Sequence, residues 1–304
     1  MKKLIYCSFL FLLIAGCSNE QPAETAGNTA GQEDAANEAS VTEDQNEAAE
    51  DKEDNEQGSE NVKGNESESS GTEAEEVVQE EETQGPQYMI NEADWSVQPI
   101  EDANEEVVLL TIDDAPDKFA LEMANTLKDL DAHAIFFVNG HFLNTDEEKE
   151  VLKQIHDMGF PIGNHTFNHQ KLDDVSEDKQ KEEILKLNDL IEEITGEKPK
   201  FFRAPHGANT DYVKGLVKEE GMTLMNWTYG YDYFKPYMDA EKLKTAMITG
   251  EGPEVDVPYS LLKPGANLLM HDREWTNQAL ADIVKGLREK GYEILDPDLI
   301  KTPE

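Results

Sequence analysis

Two adjacent carboxylates at the end of an apolar run constrain this chain more than any other feature. The run covers residues 107–110 and is typical of a fully buried strand, and Asp113 and Asp114 follow it within residues 111–116, TIDDAP. Burying neighbouring carboxylates costs free energy unless cationic groups meet them. Successive side chains of a regular strand point to opposite faces, so the pair can share one site only where the backbone turns. Pro116 favours such an ending because it lacks an N–H, although a solvated turn is the alternative.

The first 17 residues predict a secretory signal that ends in a lipidated cysteine. A basic start precedes a short apolar run over residues 4–15, which is too short to span a bilayer comfortably. The sequence LIAGC, ending at Cys17, resembles the bacterial lipobox, and an ordinary cleaved signal is the alternative. We therefore expect Cys17 to anchor the chain to the outer face of the cell membrane. The other cysteine, Cys7, lies in the segment to be removed, so no internal disulfide is expected.

Residues 18–86 predict a disordered acidic tether. This segment contains 22 acidic residues, two lysines and no aromatic residue, and it carries half of the chain's net charge of −40. It cannot bury enough apolar surface to offset its ordering entropy. A specific binding role for the acidic run remains the alternative to a solvated spacer. The strong negative charge argues against a nucleic-acid partner.

The rest of the chain, residues 87–304, is long enough for one domain and alternates predicted strands with predicted helices. Strands are predicted at residues 107–110, 134–138, 161–164, 199–203, 223–227, 267–270 and 292–295. Helices are predicted at residues 118–130, 145–158, 177–194, 211–220, 239–249 and 277–290. About seven βα units favour an α/β fold with a parallel sheet closed, or nearly closed, into a distorted (β/α)7-type barrel. A doubly wound open sheet is the alternative, and no glycine-rich nucleotide fingerprint follows a strand.

Reactive side chains cluster at the predicted C-terminal ends of the strands, where parallel α/β barrels place their chemistry. These positions hold Asp113, Asp114, residues 164–169, residues 203–207, Asp232 and residues 271–272. His165 and His169 together with one aspartate form a two-histidine, one-carboxylate set, which suits a divalent cation and leaves coordination positions open. A non-haem iron oxygenase uses the same triad. Assignment as such an oxygenase leaves the second aspartate and the distant His271 unexplained.

Four ordered motifs give the chain a recognisable resemblance. Residues 111–116 are similar to T-F-D-D-G-P, residues 165–169 match H-[ST]-x-x-H, residues 203–207 match R-x-P-x-G, and residues 269–271 match L-x-H. Over residues 106–296 the chain resembles the NodB-type polysaccharide deacetylases, carbohydrate esterase family 4. The resemblance implies a catalytic domain at residues 106–304. We expect residues 87–105, which precede it, to form an N-terminal extension that packs on the barrel.

The resemblance also implies catalytic roles. Asp113 is the expected general base and Arg203 the residue that orients it. His271 is the expected general acid that protonates the departing amine. Asp232 is the candidate carboxylate partner of His271.

Metal and substrate contacts follow from the same motifs. Asp114, His165 and His169 are the expected ligands of one divalent metal ion that activates a water, with zinc preferred and cobalt, nickel or manganese as alternatives. The oxyanion is expected to meet this metal and a backbone N–H near His206. Substrate contacts are expected from Leu269, which lines the pocket for the acetyl methyl group, and from Pro205, His206 and Trp227.

The chain departs from the family pattern at several positions. Ile112 replaces a phenylalanine, and Ala115 replaces a glycine beside the carboxylates. In the fourth motif, D-x-x-D-W, the first aspartate is absent and Tyr233 stands where tryptophan is expected. His206 occupies a position at which an aromatic residue is common.

These observations predict a monomeric, membrane-anchored, metal-dependent hydrolase that removes N-acetyl groups from N-acetylglucosamine-type cell-surface glycans, with peptidoglycan as the favoured substrate. The alternatives are an O-deacetylase or a chitooligosaccharide deacetylase of the same fold, or a catalytically weak surface lipoprotein that binds glycan. A structural wall lipoprotein whose acidic segment is the functional part is a third class.

Overall fold

A computed structural model describes residues 85–303, so the predicted signal, Cys17 and nearly all of the acidic segment lie outside the described residues. The strands are β1 Tyr88–Ile90, β2 Val97–Pro99, β3 Val107–Ala115, β4 Ile135–Val138, β5 Ile162–Asn164, β6 Phe201–Phe202, β7 Thr223–Leu224, β8 Ala266–His271 and β9 Glu293–Ile294. The α-helices are α1 Ala120–Asp129, α2 Asp146–Asp157, α3 Glu177–Thr195, α4 Asp211–Glu219, α5 Ala240–Thr249 and α6 Glu274–Glu289. Within residues 85–303, no helix has both the length and the apolar character needed to cross a bilayer.

Seven strands form one parallel sheet in the order β7-β6-β5-β4-β3-β8, and β9 pairs with the beginning of β3. From β3 to β7 each new strand is added on the same side, without the reversal of a doubly wound sheet. After β7 the chain returns to the opposite edge, where Tyr229 forms a parallel bridge with Leu268 of β8. The sheet therefore curls toward a barrel, and the α/β fold predicted from the sequence is confirmed.

Alternation along β3 separates the two faces of this curled sheet. Val108, Leu110 and Ile112 pack outward in the cluster that also contains residues of α1 and α6. Val107 and Leu109 point inward, where Ile135 and Phe137 of β4 and Phe201 of β6 join them. Since side chains alternate along a strand, Thr111 and Asp113 continue the inward face, and the apolar interior gives way to polar groups toward the C-terminal end.

The N-terminal extension packs on the domain at the end where β3 begins. The strands β1 and β2 pair antiparallel, and Val97 N donates to Gly265 O at 2.7 Å. Tyr88, Ile90 and Val97 are buried in the inner cluster beside Val107. The extension therefore covers the apolar end of the interior, away from the polar end.

Several element boundaries differ from the sequence-based expectations. The strand β3 runs through both aspartates to Ala115, although its apolar run stops at Leu110. The strand expected at residues 223–227 pairs with β6 over only two residues. The helix expected from residue 277 begins at Glu274, and the helix expected from residue 118 begins at Ala120. The predicted capping box of Thr145 and Glu148 is confirmed.

Candidate active site

A cavity of about 510 Å³ opens at the C-terminal end of the curled sheet. Its lining brings together side chains that lie far apart in the sequence: Asp113, Asp114, His165, His169, His206, Trp227, Asp232, Tyr233, Met238, Leu269, His271, Arg273 and Trp275. All but one of the residues proposed from the motifs reach the cavity or contact its walls. The exception is Pro205, which is buried and is absent from this lining.

A bulge in β3 lets two consecutive carboxylates face the same site. The pairing of β3 with β4 shifts register between Ile112 and Ala115, and Asp114 has a φ of 59°. This left-handed conformation is costly for a residue with a Cβ, and it turns the Asp114 side chain away from the outer face that alternation would give it. His169 and His206, at φ 54° and 59°, also line the cavity with left-handed backbone.

Arg203 is the cation that meets Asp113. Its Nη1 donates to Asp113 Oδ1 at 2.6 Å and to Thr111 Oγ1 at 2.8 Å, and its Nη2 donates to Asn226 O at 2.8 Å. The guanidinium is fully buried over the Phe137 ring, 4.4 Å from its centroid. One oxygen of Asp113 is therefore fixed against a buried charge. The other oxygen, Oδ2, lies 3.6 Å from His165 Nε2.

Asp114, His165 and His169 have the donor set and the proximity that a divalent cation requires. One ligand atom from each lies within 4.8 Å of the others. Asp114 Oδ1 is buried without a hydrogen-bond partner and lies 3.3 Å from His169 Nε2 and 3.8 Å from His165 Nε2. Two imidazole nitrogens and one carboxylate oxygen suit zinc and similar ions. A buried carboxylate oxygen without a partner is expected where a cation belongs, so these residues fit the predicted metal.

The protonation states of the two histidines also fit a metal site. The Nδ1 atom of His165 lies 2.7 Å from Arg203 O, and since a carbonyl only accepts, Nδ1 carries the proton and Nε2 presents its lone pair. Burial lowers the pKa of His165, and burial together with the neighbouring His165 lowers the pKa of His169 to about 4. Both rings are therefore neutral at pH 7, as metal ligands must be.

The loop between these histidines is held by two side chains outside the cavity. Asn139 Nδ2 donates to His165 O at 2.6 Å and to Thr166 O at 3.1 Å. The buried carboxylate of Glu183, on α3, accepts from Asn168 N at 2.6 Å and from Asn168 Nδ2 at 2.8 Å. Asn139, directly after β4, and Glu183 of α3 therefore fix the loop that carries the two histidines.

His271 and Asp232 form the pair expected from the altered fourth motif. His271 Nδ1 lies 2.8 Å from Asp232 Oδ1, and the Asp232 Oδ2 atom accepts the His271 backbone N–H at 2.6 Å and the Thr276 hydroxyl at 2.9 Å. Burial opposes a charge on His271, but the carboxylates, Asp232 above all, raise its pKa to about 9. The ring is therefore a cation at neutral pH, with a proton on Nδ1 toward Asp232 and another on Nε2.

The remaining wall of the cavity is apolar and aromatic. Leu269 is buried at its floor, and Trp227 and Tyr233 line its side. Tyr233 is 42% exposed, and its ring meets His271 edge-on with centroids 5.7 Å apart. His206 is exposed and packs edge-on against His169 at 5.1 Å. The substitutions at positions 206 and 233 thus keep ring side chains at the cavity.

Arg273 is a cavity residue that the motifs did not identify. Its Nη2 donates to Asp114 Oδ2 at 2.6 Å, so the second carboxylate has its own cationic partner. Burial alone would raise the pKa of Asp114, but the surrounding histidines and Arg273 hold it below the usual value. The signal in the sequence was its position two residues after His271, in the turn that leads into α6.

Comparisons with known proteins identify similar proteins that are described as deacetylases. The profile of the family described as polysaccharide deacetylase matches residues 100–225. The chain is 33% identical over 194 residues to a peptidoglycan-N-acetylglucosamine deacetylase of Bacillus cereus, covering 62% of this chain and 67% of that protein. It is 27% identical to the peptidoglycan-N-acetylmuramic acid deacetylase PdaA of Bacillus subtilis, covering 62% and 68% of the two chains.

A solved structure with the same fold is that of a CE4 family pseudoenzyme from Bacillus anthracis. It matches with a TM-score of 0.54 and 28% identity, covering 62% of this chain and 63% of that one. The chain thus spans less than two thirds of that neighbour's length. The curled sheet, the cavity and these relatives together define a class of hydrolases that act on amide bonds of glycans. The chain belongs to the polysaccharide deacetylase family, carbohydrate esterase family 4, as its four motifs predicted.

Proposed function

We propose that this protein removes N-acetyl groups from N-acetylglucosamine units of peptidoglycan in a metal-dependent hydrolysis. The observation that carries the proposal is the convergence of Asp113, the Asp114–His165–His169 cluster and the His271–Asp232 pair on one cavity. The similarity to the Bacillus cereus deacetylase supports the choice of substrate.

The metal would be held by Asp114, His165 and His169, with zinc preferred because two imidazoles and one carboxylate suit it. When bound, such an ion supplies Lewis acidity, which lowers the pKa of a water toward about 7 and polarises a carbonyl. Cobalt, nickel and manganese fit the same donors.

Asp113 and His271 divide the proton transfers. Asp113, fixed by Arg203 through one oxygen, accepts the proton of the water that attacks the acetamide carbonyl. His271, charged because of Asp232, donates a proton to the departing sugar amine. Leu269 and Trp227 offer apolar surface for the acetyl methyl group, and a backbone N–H near His206 is the proposed donor to the oxyanion.

The location of the reaction is part of the proposal. A lipid on Cys17 would hold the chain on the outer face of the membrane, and residues 18–86 would extend the domain toward the wall. The Cys17→Ala substitution is expected to release the protein from the membrane fraction. Retention of that variant in the membrane fraction would argue against lipidation at this residue.

Acetate release by the full-length chain tests the activity. The substrates are peptidoglycan, chitooligosaccharides and acetylated xylan, each assayed with chelator and after zinc is restored. We expect release from peptidoglycan that chelator abolishes and zinc restores, and mass spectrometry of the digested glycan identifies which amino sugar has lost its acetyl group. Deacetylated muramic acid alone would replace the proposed substrate by that of PdaA.

A surface protein that binds glycan without hydrolysing it is the second candidate. Two observations support it: the structural likeness to a pseudoenzyme and the altered fourth motif. Binding of peptidoglycan without acetate release from any of these substrates would establish this function and overturn the deacetylase proposal.

A further inference from the structure

The two oxygens of the Asp114 carboxylate face different partners. Oδ2 accepts from Arg273 Nη2 at 2.6 Å, whereas Oδ1 faces His165 and His169 and has no hydrogen-bond partner. Among the described residues that line the cavity, Arg273 is the one arginine, and no lysine is present. A cation that binds at Oδ1 therefore shares its carboxylate with a guanidinium.

Arg273 is held in place by backbone and by a second acid. Its Nη1 donates to Asp272 O at 2.8 Å and lies 3.8 Å from Asp117 Oδ2. The buried Asp272 carboxylate in turn accepts the backbone N–H groups of residues 117–120, at 2.6 to 3.1 Å. These bonds tie the segment after β8 to the segment before α1, and the guanidinium contacts both segments, through Asp272 O and Asp117 Oδ2.

We propose that Arg273 is a positioning residue that neutralises Asp114 in the metal-free protein and lowers the affinity of the Asp114–His165–His169 site for divalent cations. The Asp114 side chain is only 13% exposed and the Arg273 side chain is 34% exposed, so solvent screens the repulsion between the two cations only in part. The coupling is reciprocal, because a metal on Oδ1 must weaken the Arg273–Asp114 pair by the same free energy. The inference rests on the metal site of the proposed function, and it concerns affinity rather than catalysis.

Competition for zinc against a chromophoric chelator tests the inference on the full-length chain. Arg273→Gln is expected to bind zinc about tenfold more tightly than the wild type, within the usual range of coupling between sites. Arg273→Lys, which keeps the charge, is expected to stay close to the wild type. Lys285→Gln removes a charge from the exposed face of α6, the helix that Arg273 precedes, and is the matched control. Arg273→Met, which retains the aliphatic stem, carries the same expectation if the glutamine variant does not fold.

Thermal unfolding without metal provides a readout that a packing role would not reproduce. Arg273→Gln is expected to lower the melting temperature of the metal-free protein, and this loss should disappear in an Asp114→Asn background. Zinc affinity that is unchanged or weaker in the neutral variants would overturn the inference while leaving the metal site intact. Absence of zinc binding by the wild type would overturn the metal site and the inference together.

Discussion

Asp232 binds His271 at two points, through a 2.8 Å contact with Nδ1 and a 2.6 Å hydrogen bond from the backbone N–H. Thr276 and Trp275 of α6 hold the acid in turn, because the Thr276 hydroxyl donates to Oδ2 and the Trp275 indole donates to the Asp232 carbonyl. The carboxylate therefore fixes both the orientation and the charge of the imidazole.

Replacement of Asp232 is expected to shift the pH dependence of the reaction. With its pKa raised to about 9, His271 is protonated at neutral pH and is lost as a proton donor when the pH rises through that value. Asp232→Asn removes the nearest negative charge, so the basic limb of kcat against pH should move to lower pH by at least about one unit. Asp211→Asn, at an exposed position, is the control, and an unmoved basic limb would remove Asp232 from this role.

Much of this site follows from the sequence because it is encoded in short motifs at strand ends. The spacing within the motifs and a parallel sheet are enough to bring four of these residues together: Asp113, Asp114, His165 and His169. Arg273 was missed because its partner depends on the register of β3 with β8, in which Asp113 lies opposite His271. Local sequence does not determine that register.

Glu183 was missed for a different reason. The helix α3 is rich in acidic residues, and only its phase distinguishes the buried Glu183 from the exposed Glu182. The same face carries Ile184, Leu187 and Ile191, so helical periodicity contained the signal.

The strands β6 and β7 were expected to be longer because apolar runs show burial but do not show where a neighbouring strand stops pairing.

Loss of the buried Arg203 charge is expected to destabilise the domain. Arg203→Met leaves Asp113 buried without its cation, which should lower the free energy of unfolding by about 3–5 kcal/mol. Adding Asp113→Asn to that variant should recover part of the loss, because the uncompensated charge is then gone. Denaturant titration measures both effects. Lys214→Met, which breaks only an exposed ion pair with Asp211, should change stability by less than about 0.5 kcal/mol.

Gly230 is required by the close approach of the chain to β8. A Cβ at this position would clash with Leu269 O and lie 2.8 Å from Leu269 Cβ, so Gly230→Ala must displace this residue of the cavity wall. We expect a loss of about 1–3 kcal/mol in unfolding free energy, together with reduced acetate release. Gly215 lies in α4 with no atom within 4 Å of its would-be Cβ, and Gly215→Ala should add about 0.5–1 kcal/mol. Equal effects of the two substitutions would contradict this account.

Glu183 is expected to support metal binding without touching the metal. Its carboxylate accepts both the N–H and the side-chain amide of Asn168, the residue before His169, and a glutamine would present an NH₂ group to one of these donors. Glu183→Gln should therefore weaken zinc binding by about tenfold or more, the range typical for groups that orient metal ligands. Glu182→Gln changes the same charge on the exposed face of α3 and should bind zinc like the wild type. Because Arg273→Gln is expected to shift the affinity in the opposite direction, one chelator competition separates the residue that orients the ligands from the residue that repels the ion. Wild-type affinity in Glu183→Gln would show that Asn139 alone suffices to hold the loop.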